Sequence, residues 1–355
     1  MPSSKVPGAR GRKEPAPERA VTMKDVAAAA GVSQSTVSRI LNDVPVAIPV
    51  SDRTRERVLE LARELGYRPH PFARALRGAP SMLLGAIVRD ITDVFFPSAV
   101  EALSIEARAR GYSVVLGTAR AEADEALALT AVLEARQCDA IVLLGDLRDE
   151  PRLVDDLRRA RIPVVALWHG SHAAPFPTIS VDNRAGIRAA LDHLHQLGHR
   201  RVAFCGNETL LDVHERRAAF AERAGELGLP AGPELVRHTD NTFAGGEAAL
   251  ADLLGAAEPP SAVIAATDVI AIGLIHAAYE RGVRVPDDLS VVGFDDVPLA
   301  AAVVPGLTTV QMPVAEMVGA AVERVVDEAA AEGAPVPPPF VPRLVVRGSS
   351  GPPPA

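Results

Sequence analysis

The chain has 355 residues, 48% of them hydrophobic and 23% charged, with a formal net charge of −8 at pH 7. That length gives room for two or three domains, and the apolar share excludes a wholly disordered chain. The best apolar stretch, 261–278, is interrupted by Asp268 and His276, which argues against a membrane span, and two cysteines, Cys138 and Cys205, are too few for a disulfide framework or a zinc cluster.

In chain order, residues 1–20 carry Pro2, Pro7, Pro15 and Pro17 and read as a disordered leader. They lack the apolar segment of a secretory signal, so a cytoplasmic protein is expected. Three short helical patterns follow. Thr22, with Asp25 three residues on, opens Met23–Ala30, and Gly31 closes it. Ser33 starts a second helix whose Val37, Ile40 and Leu41 share a face. Ser51 starts a third, with Val58, Leu61, Ala62 and Leu65 inward and Gly66 as its stop. Pro69 and Pro71 forbid a continuous helix beyond, so 67–80 reads as a linker.

From Met82 onward, short apolar runs alternate with helical stretches. The strands expected are Leu83–Val88, Val114–Leu116, Ala140–Leu144, Val164–Leu167, Val202–Cys205, Ala262–Ala265 and Ser290–Phe294. Such alternation predicts parallel sheets covered on both faces, and the number of strands exceeds one doubly wound unit. Residues 348–355 (GSSGPPPA) read as a second disordered tail. Charge divides along the same lines. Residues 1–78 hold 14 basic against 8 acidic side chains, and the rest holds 23 against 37. A basic head on an acidic body favours nucleic acid at one end only.

The string Thr22-Met23-Lys24-Asp25-Val26-Ala27, then Ala30-Gly31-Val32-Ser33, then Thr36-Val37-Ser38-Arg39-Ile40-Leu41-Asn42 resembles the start of the LacI/GalR family of bacterial transcription regulators. The core continues the resemblance in Val181-Asp182-Asn183, in Leu197-Gly198-His199-Arg200 and in Val285 through Asp296. It implies a small all-α helix–turn–helix head (21–66), a hinge (67–80) and an α/β core like the periplasmic binding proteins (81–347), built of two Rossmann-like subdomains. Subdomain one would comprise about 81–178 and 310–334, and subdomain two about 179–307 and 340–347. The crossovers would fall near Thr178–Ser180, Gly306–Val310 and Pro335–Pro339. The implied partners are operator DNA, a second copy of the chain and a small-molecule effector, with a sugar as the expected class, no cofactor and no membrane.

At the DNA end, Gln34, Ser35 and Arg39 match the family's base-reading positions, with Ser38 also facing outward. Gln suits adenine and Arg suits guanine. Thr22, Ser33, Thr36, Asn42, Ser51 and Thr54 match phosphate contacts, which fix register without reading sequence, and Tyr67 belongs to the matched Leu65-Gly66-Tyr67 segment. Leu76 matches a leucine that wedges open the minor groove, with Ala73 packing beside it.

At the effector end, ligands of paired Rossmann-like units sit beyond the C-terminal ends of the strands. Arg216 and Asp268 match the cleft arginine and aspartate, and Phe95 and Phe96 match its aromatic wall. Trp168 and Asp146 are further strand-end candidates. Phe243 lies two positions from Asn241, which stands where many members have an aromatic. Asp93-Val94 replaces the common Asn-Pro, and Thr267 replaces the usual Asn.

Other classes fit less well. His195 and His199 are four apart, but no carboxylate or cysteine stands at ligand spacing, so no metal site is expected. No dinucleotide fingerprint, Walker loop or nucleophile elbow occurs, so no enzyme is expected. Two alternatives keep part of the reading: control of the DNA-binding protein by a protein co-regulator, or a sugar-binding protein without a DNA function.

Overall fold

The computed structural model describes residues 21–41, 50–67, 80–119, 129, 133, 138–146, 151–159, 162–168, 176–326 and 335–354. The expectations for the leader, Asn42, Ala73, Leu76, the rest of the hinge and Ala355 lie outside these residues. The chain divides into two compact units, 1–79 and 80–355.

The first unit holds α1 (Met23–Ala30), α2 (Gln34–Leu41) and α3 (Asp52–Glu64). Each contributes its apolar stripe to one small core of Val26, Ala27, Ala30, Val37, Ile40, Val58 and Ala62. Helices this short are marginal alone and persist by burying that shared stripe. The ends follow side-chain chemistry. The Thr22 backbone N–H and hydroxyl both donate to Asp25 (2.7 and 2.6 Å). The Ser33 and Ser51 hydroxyls accept from the Thr36 and Thr54 amides. Gly31 adopts φ +67°, the left-handed backbone that ends α1.

The second unit contains two sheets. The first has strand order β2-β1-β3-β4-β5, all parallel: β1 (Leu83–Val88), β2 (Ser113–Thr118), β3 (Ala140–Leu144), β4 (Val164–Leu167) and β5 (Thr178–Ile179). The second has order β11-β10-β9-β8-β6-β7: β6 (Val202–Gly206), β7 (Val236–His238), β8 (Ala262–Ala265), β9 (Ser290–Asp295), β10 (Thr308–Gln311) and β11 (Arg343–Val345). Its strands are parallel except for β11 against β10. The helices are α4 (Phe96–Ala109), α5 (Pro151–Arg159), α6 (Asn183–Gln196), α7 (Leu211–Glu226), α8 (Phe243–Leu254), α9 (Asp268–Glu280), α10 (Pro298–Ala302) and α11 (Val314–Val326). α8 and α9 approach backbone to backbone, because a side-chain carbon on Gly273 would stand 2.1 Å from the Phe243 carbonyl oxygen.

The chain passes between the lobes at 180–182, at 312–313 and, in the reverse direction before β11, around 335–342. Two of these passages lie side by side: Phe340 donates its N–H to Ser180 (2.9 Å), and Asp182 donates to Phe340 (2.8 Å). α11 returns to the first lobe, packing Met317, Val318, Ala321 and Val322 into a cluster with Phe96, Ala99 and Leu103.

Two expected boundaries are corrected. The resemblance implies a crossover near Gly306–Val310, with subdomain one resuming at about 310. Instead β10 lies in the second sheet, in register with β9, its Thr308 and Thr309 fully buried. Their β-branched side chains suit a strand, and their hydroxyls find partners in Ser350 and Asp268. The expected disordered tail is also corrected over 348–354. Ser349 is fully buried, accepting from the Thr308 amide and donating to the Val291 carbonyl (2.8 and 2.6 Å). Gly351 offers its carbonyl to His199 and Ser350 its hydroxyl to His193. Burial holds both imidazoles below the usual histidine pKa, hence toward the neutral form.

Candidate functional sites

On the head, α2 turns Val37 and Ile40 inward, so its other faces are presented outward. Gln34, Ser35 and Arg39 are exposed; Thr36 and Ser38 are half-buried. Ser33 and Ser51 are exposed, while Thr22, Thr54 and Tyr67 are half-buried. The Ser33 and Ser51 hydroxyls lie 2.8 Å from those of Thr36 and Thr54, at the first turns of α2 and α3. A helix N-terminus carrying hydroxyls suits a phosphate oxygen, so capping and DNA contact are compatible roles.

Between the lobes of the core lies a cleft that is narrow in this arrangement. Of the expected effector residues, Phe95, Phe96, Asp146, Trp168 and Arg216 line it. The rings form an edge-to-face cluster, with Phe95 and Trp168 centroids 4.9 Å apart and Phe95 and Phe96 5.4 Å apart. Trp168 follows β4 with φ +57°, an unusual backbone for a bulky residue, and among the described residues its buried indole Nε1 has no hydrogen-bond partner. A buried unsatisfied donor is costly, so this atom fits a site completed by a ligand acceptor.

Arg216 is 2% exposed and occupies the centre of a polar cluster. It donates to Asn183 Oδ1 (2.9 Å) and the Ala266 carbonyl (2.6 Å), pairs with Asp212 (3.2 Å) and Asp295 (3.7 Å), and stacks 3.7 Å from the Phe294 ring centre. Asn183 in turn donates to Glu215 (2.8 Å). Asp295 has φ +121° and its carboxyl is pushed well above the usual range, by burial first, against the pull of Arg216.

Two expected effector residues do not line the cleft. Asp268 is fully buried behind it, accepting from the Thr309 hydroxyl (2.5 Å) and the Val297 amide (2.9 Å). Its carboxylate lies against β9, where a side-chain carbon on Gly293 would come within 2.2 Å of Oδ1. Desolvation raises its pKa to about 7 despite those donors. Phe243 is 39% exposed at the start of α8, outside the cleft wall. Lining residues that the sequence reading did not select include Arg89, Asn183, Asp212, Asn241 and Thr267. Asp212 stands four residues before Arg216 on one helix, a spacing that announces such a pair; Asn241 and Thr267 carried only the signal of departing from the family pattern. Among the described residues no cluster of three or more His, Cys, Asp or Glu could hold a metal ion, and no helix is long and apolar enough to cross a membrane.

A helix–turn–helix head followed by a two-lobed core with an aromatic and polar cleft defines a DNA-binding regulator of the ligand-binding type. Comparisons with known proteins agree. Residues 22–70 match the model of bacterial regulatory proteins of the lacI family, and 191–350 match a periplasmic binding protein-like domain. The HTH-type transcriptional repressor CytR of Escherichia coli (strain K12) is 33% identical over 297 residues, 83% of this chain and 86% of its own. The lac repressor dimer bound to operator and the anti-inducer ONPF superimposes with a TM-score of 0.83 at 27% identity, covering 94% of this chain and all of the other. The complex of the transcriptional regulator CelR with cellobiose has a TM-score of 0.67 at 29% identity, covering 93% and 99%. The chain belongs to the LacI family, whose members are DNA-binding transcriptional regulators and not enzymes.

Proposed function

We propose that this regulator is a repressor that binds an inverted-repeat operator as a homodimer, in the cytoplasm, and answers to a small hydroxylated effector, a sugar by class, held in the core cleft. Gln34, Ser35 and Arg39 read base edges, while Thr22, Ser33, Thr36, Ser38, Ser51, Thr54 and Tyr67 meet the backbone. The observation that carries the DNA reading is the outward presentation of Gln34, Ser35 and Arg39 on a helix anchored through Val37 and Ile40. Two-fold symmetry of the protein requires two-fold symmetry of the site. Phe95, Phe96 and Trp168 offer an apolar wall to one face of a ring, and the polar cluster around Arg216 faces its hydroxyls.

The test is selection of binding sites by the full chain from random duplex DNA at fixed salt. An inverted repeat should emerge, and Arg39→Ala should relax preference at one symmetric pair of positions, by about 1–3 kcal/mol per lost base contact. Recovery of no sequence above background, with and without added sugars, would overturn the reading.

A further inference from the structure

Three polar residues, far apart in sequence, meet in one place. Asp93 from the first lobe accepts at Oδ2 from Arg89 (3.1 Å) and from Asn241 of the second lobe (3.0 Å). Asn241 accepts through Oδ1 from the Thr267 hydroxyl (2.6 Å). Asp93 Oδ1 accepts from the Phe95 amide (3.1 Å), so the same carboxylate fixes the turn that presents the aromatic wall. All of Arg89, Asp93, Asn241 and Thr267 line the cleft. Asn and Thr are short, polar and geometrically definite, and here they complete a chain of hydrogen bonds from lobe to lobe.

The charge of the cleft narrows what can enter it. Its two arginines face five carboxylic acids. The Arg216 guanidinium is engaged by Asn183, Ala266, Asp212 and Asp295, and Arg89 is held by Asp93. Both cations already have carboxylate partners, and an anion entering would meet an acidic surplus even with Asp295 in its neutral form.

We propose that Asp93, Asn241 and Thr267 are specificity-determining residues: they latch the lobes to each other, and the ligand is uncharged, with a hydroxyl that donates to Asp93 and accepts from Asn241 in place of the latch bond. The ligand half of this rests on the effector reading above; the latch half stands without it.

The latch is tested on the full chain by amide hydrogen exchange, with Asn241→Ala and, as a gentler variant, Thr267→Val. The Asp93, Phe95 and Phe96 amides are bonded within the first-lobe turn. Loss of the latch should speed exchange across 91–96 about fivefold in Asn241→Ala. Faster exchange confined to 239–246 in both variants would mean a purely local role and would overturn the latch. The ligand class is tested by thermal shift with cellobiose, D-ribose, glucose 6-phosphate and inorganic phosphate. A rise in Tm with an uncharged sugar but neither phosphate compound supports the class. A rise with glucose 6-phosphate that Trp168→Ala abolishes would overturn it. Neither measurement uses DNA, so a failed operator selection leaves both standing.

Discussion

Arg216→Met is the most informative single substitution in the core. It keeps an unbranched apolar stem but removes a guanidinium with four polar partners and an aromatic face. Two of those partners, the Ala266 carbonyl and Asn183 Oδ1, lie 2.6 and 2.9 Å away and have no route to water from a side chain that is 2% exposed. Each buried acceptor left unpaired costs about 1–3 kcal/mol. Asp295 loses the cation that pulls its pKa down and shifts further toward the neutral acid. Asp212 is 25% exposed, so water replaces most of what it loses. Breaking a buried pair of this kind costs about 3–5 kcal/mol in total. The molecule contains one tryptophan, Trp168, which lines the same cleft, so its fluorescence reports unfolding of the core alone. With a urea slope of about 1–3 kcal/mol/M, the midpoint should fall by roughly 1–2 M or more at unchanged slope. Adding Asp295→Asn to Arg216→Met should recover about 1–2 kcal/mol, since the residual acid is then replaced by a neutral amide. A midpoint within ~0.3 M of wild type would refute the assignment of Arg216 as the keystone of the cleft floor and leave it as a ligand contact only.

Three further outcomes are expected. Asp268 is protonated more readily in the folded chain than in the unfolded one, so its contribution is fully present below about pH 4 and is lost as pH rises through about 7; urea midpoints at pH 5, 6 and 7 should therefore fall less with pH in Asp268→Asn than in wild type, and parallel curves would contradict the burial argument. Truncation after Arg347 removes Ser349 from between the Thr308 amide and the Val291 carbonyl and strips His199 of Gly351, so calorimetry should show the core melting lower by about 2–4 kcal/mol of stability, whereas a dispensable tail would leave its Tm unchanged. Trp168→Phe keeps the ring stack but removes the unpartnered Nε1, so titration calorimetry with a ligand found by thermal shift should give about tenfold weaker binding at near-wild-type stability; equal affinity would show that the indole N–H meets no ligand atom.

The strands that were legible to the residue, β1, β3, β4 and β8, are continuous apolar runs whose every residue but Leu83 is buried, so composition alone marks their ends. β5 and β7 are two and three residues long and carry no periodicity to read. β10 falls where the resemblance implies a crossover, and its buried Thr308 and Thr309, whose hydroxyls are paired, give it no apolar run to read. The tail was misjudged for a related reason: Gly, Ser and Pro signal disorder locally, yet Ser350 is held by a histidine 157 positions earlier. In the cleft, Phe95, Phe96 and Arg216 followed from the resemblance, and Trp168 and Asp146 from their places just beyond β4 and β3. Asp268 does not line the cleft, because a carboxylate at a strand end can turn forward to the ligand or back into the sheet, and the missing side chain of Gly293 together with the Thr309 hydroxyl turns it back.

A ligand alters operator occupancy only by binding two arrangements of the lobes unequally. A tenfold change requires about 1.4 kcal/mol of differential free energy, the scale of one or two hydrogen bonds. Two of the backbone passages between the lobes are hydrogen-bonded to each other at Ser180, Asp182 and Phe340, and in the third the Met312 amide donates to the Asp295 carbonyl at the end of β9, where Asp295 and Asp296 have positive φ, so together they form a defined pivot on which small forces act. In the cleft, the Asp93–Asn241 bond joins the lobes at a contact a ligand hydroxyl is able to replace. Exchanging that bond for ligand contacts of unequal strength in the two arrangements supplies energy of the required size. The same substitution that loosens the latch, Asn241→Ala, should therefore shift operator affinity even when no effector is added, by up to the same tenfold, and an affinity identical to wild type would separate the latch from regulation.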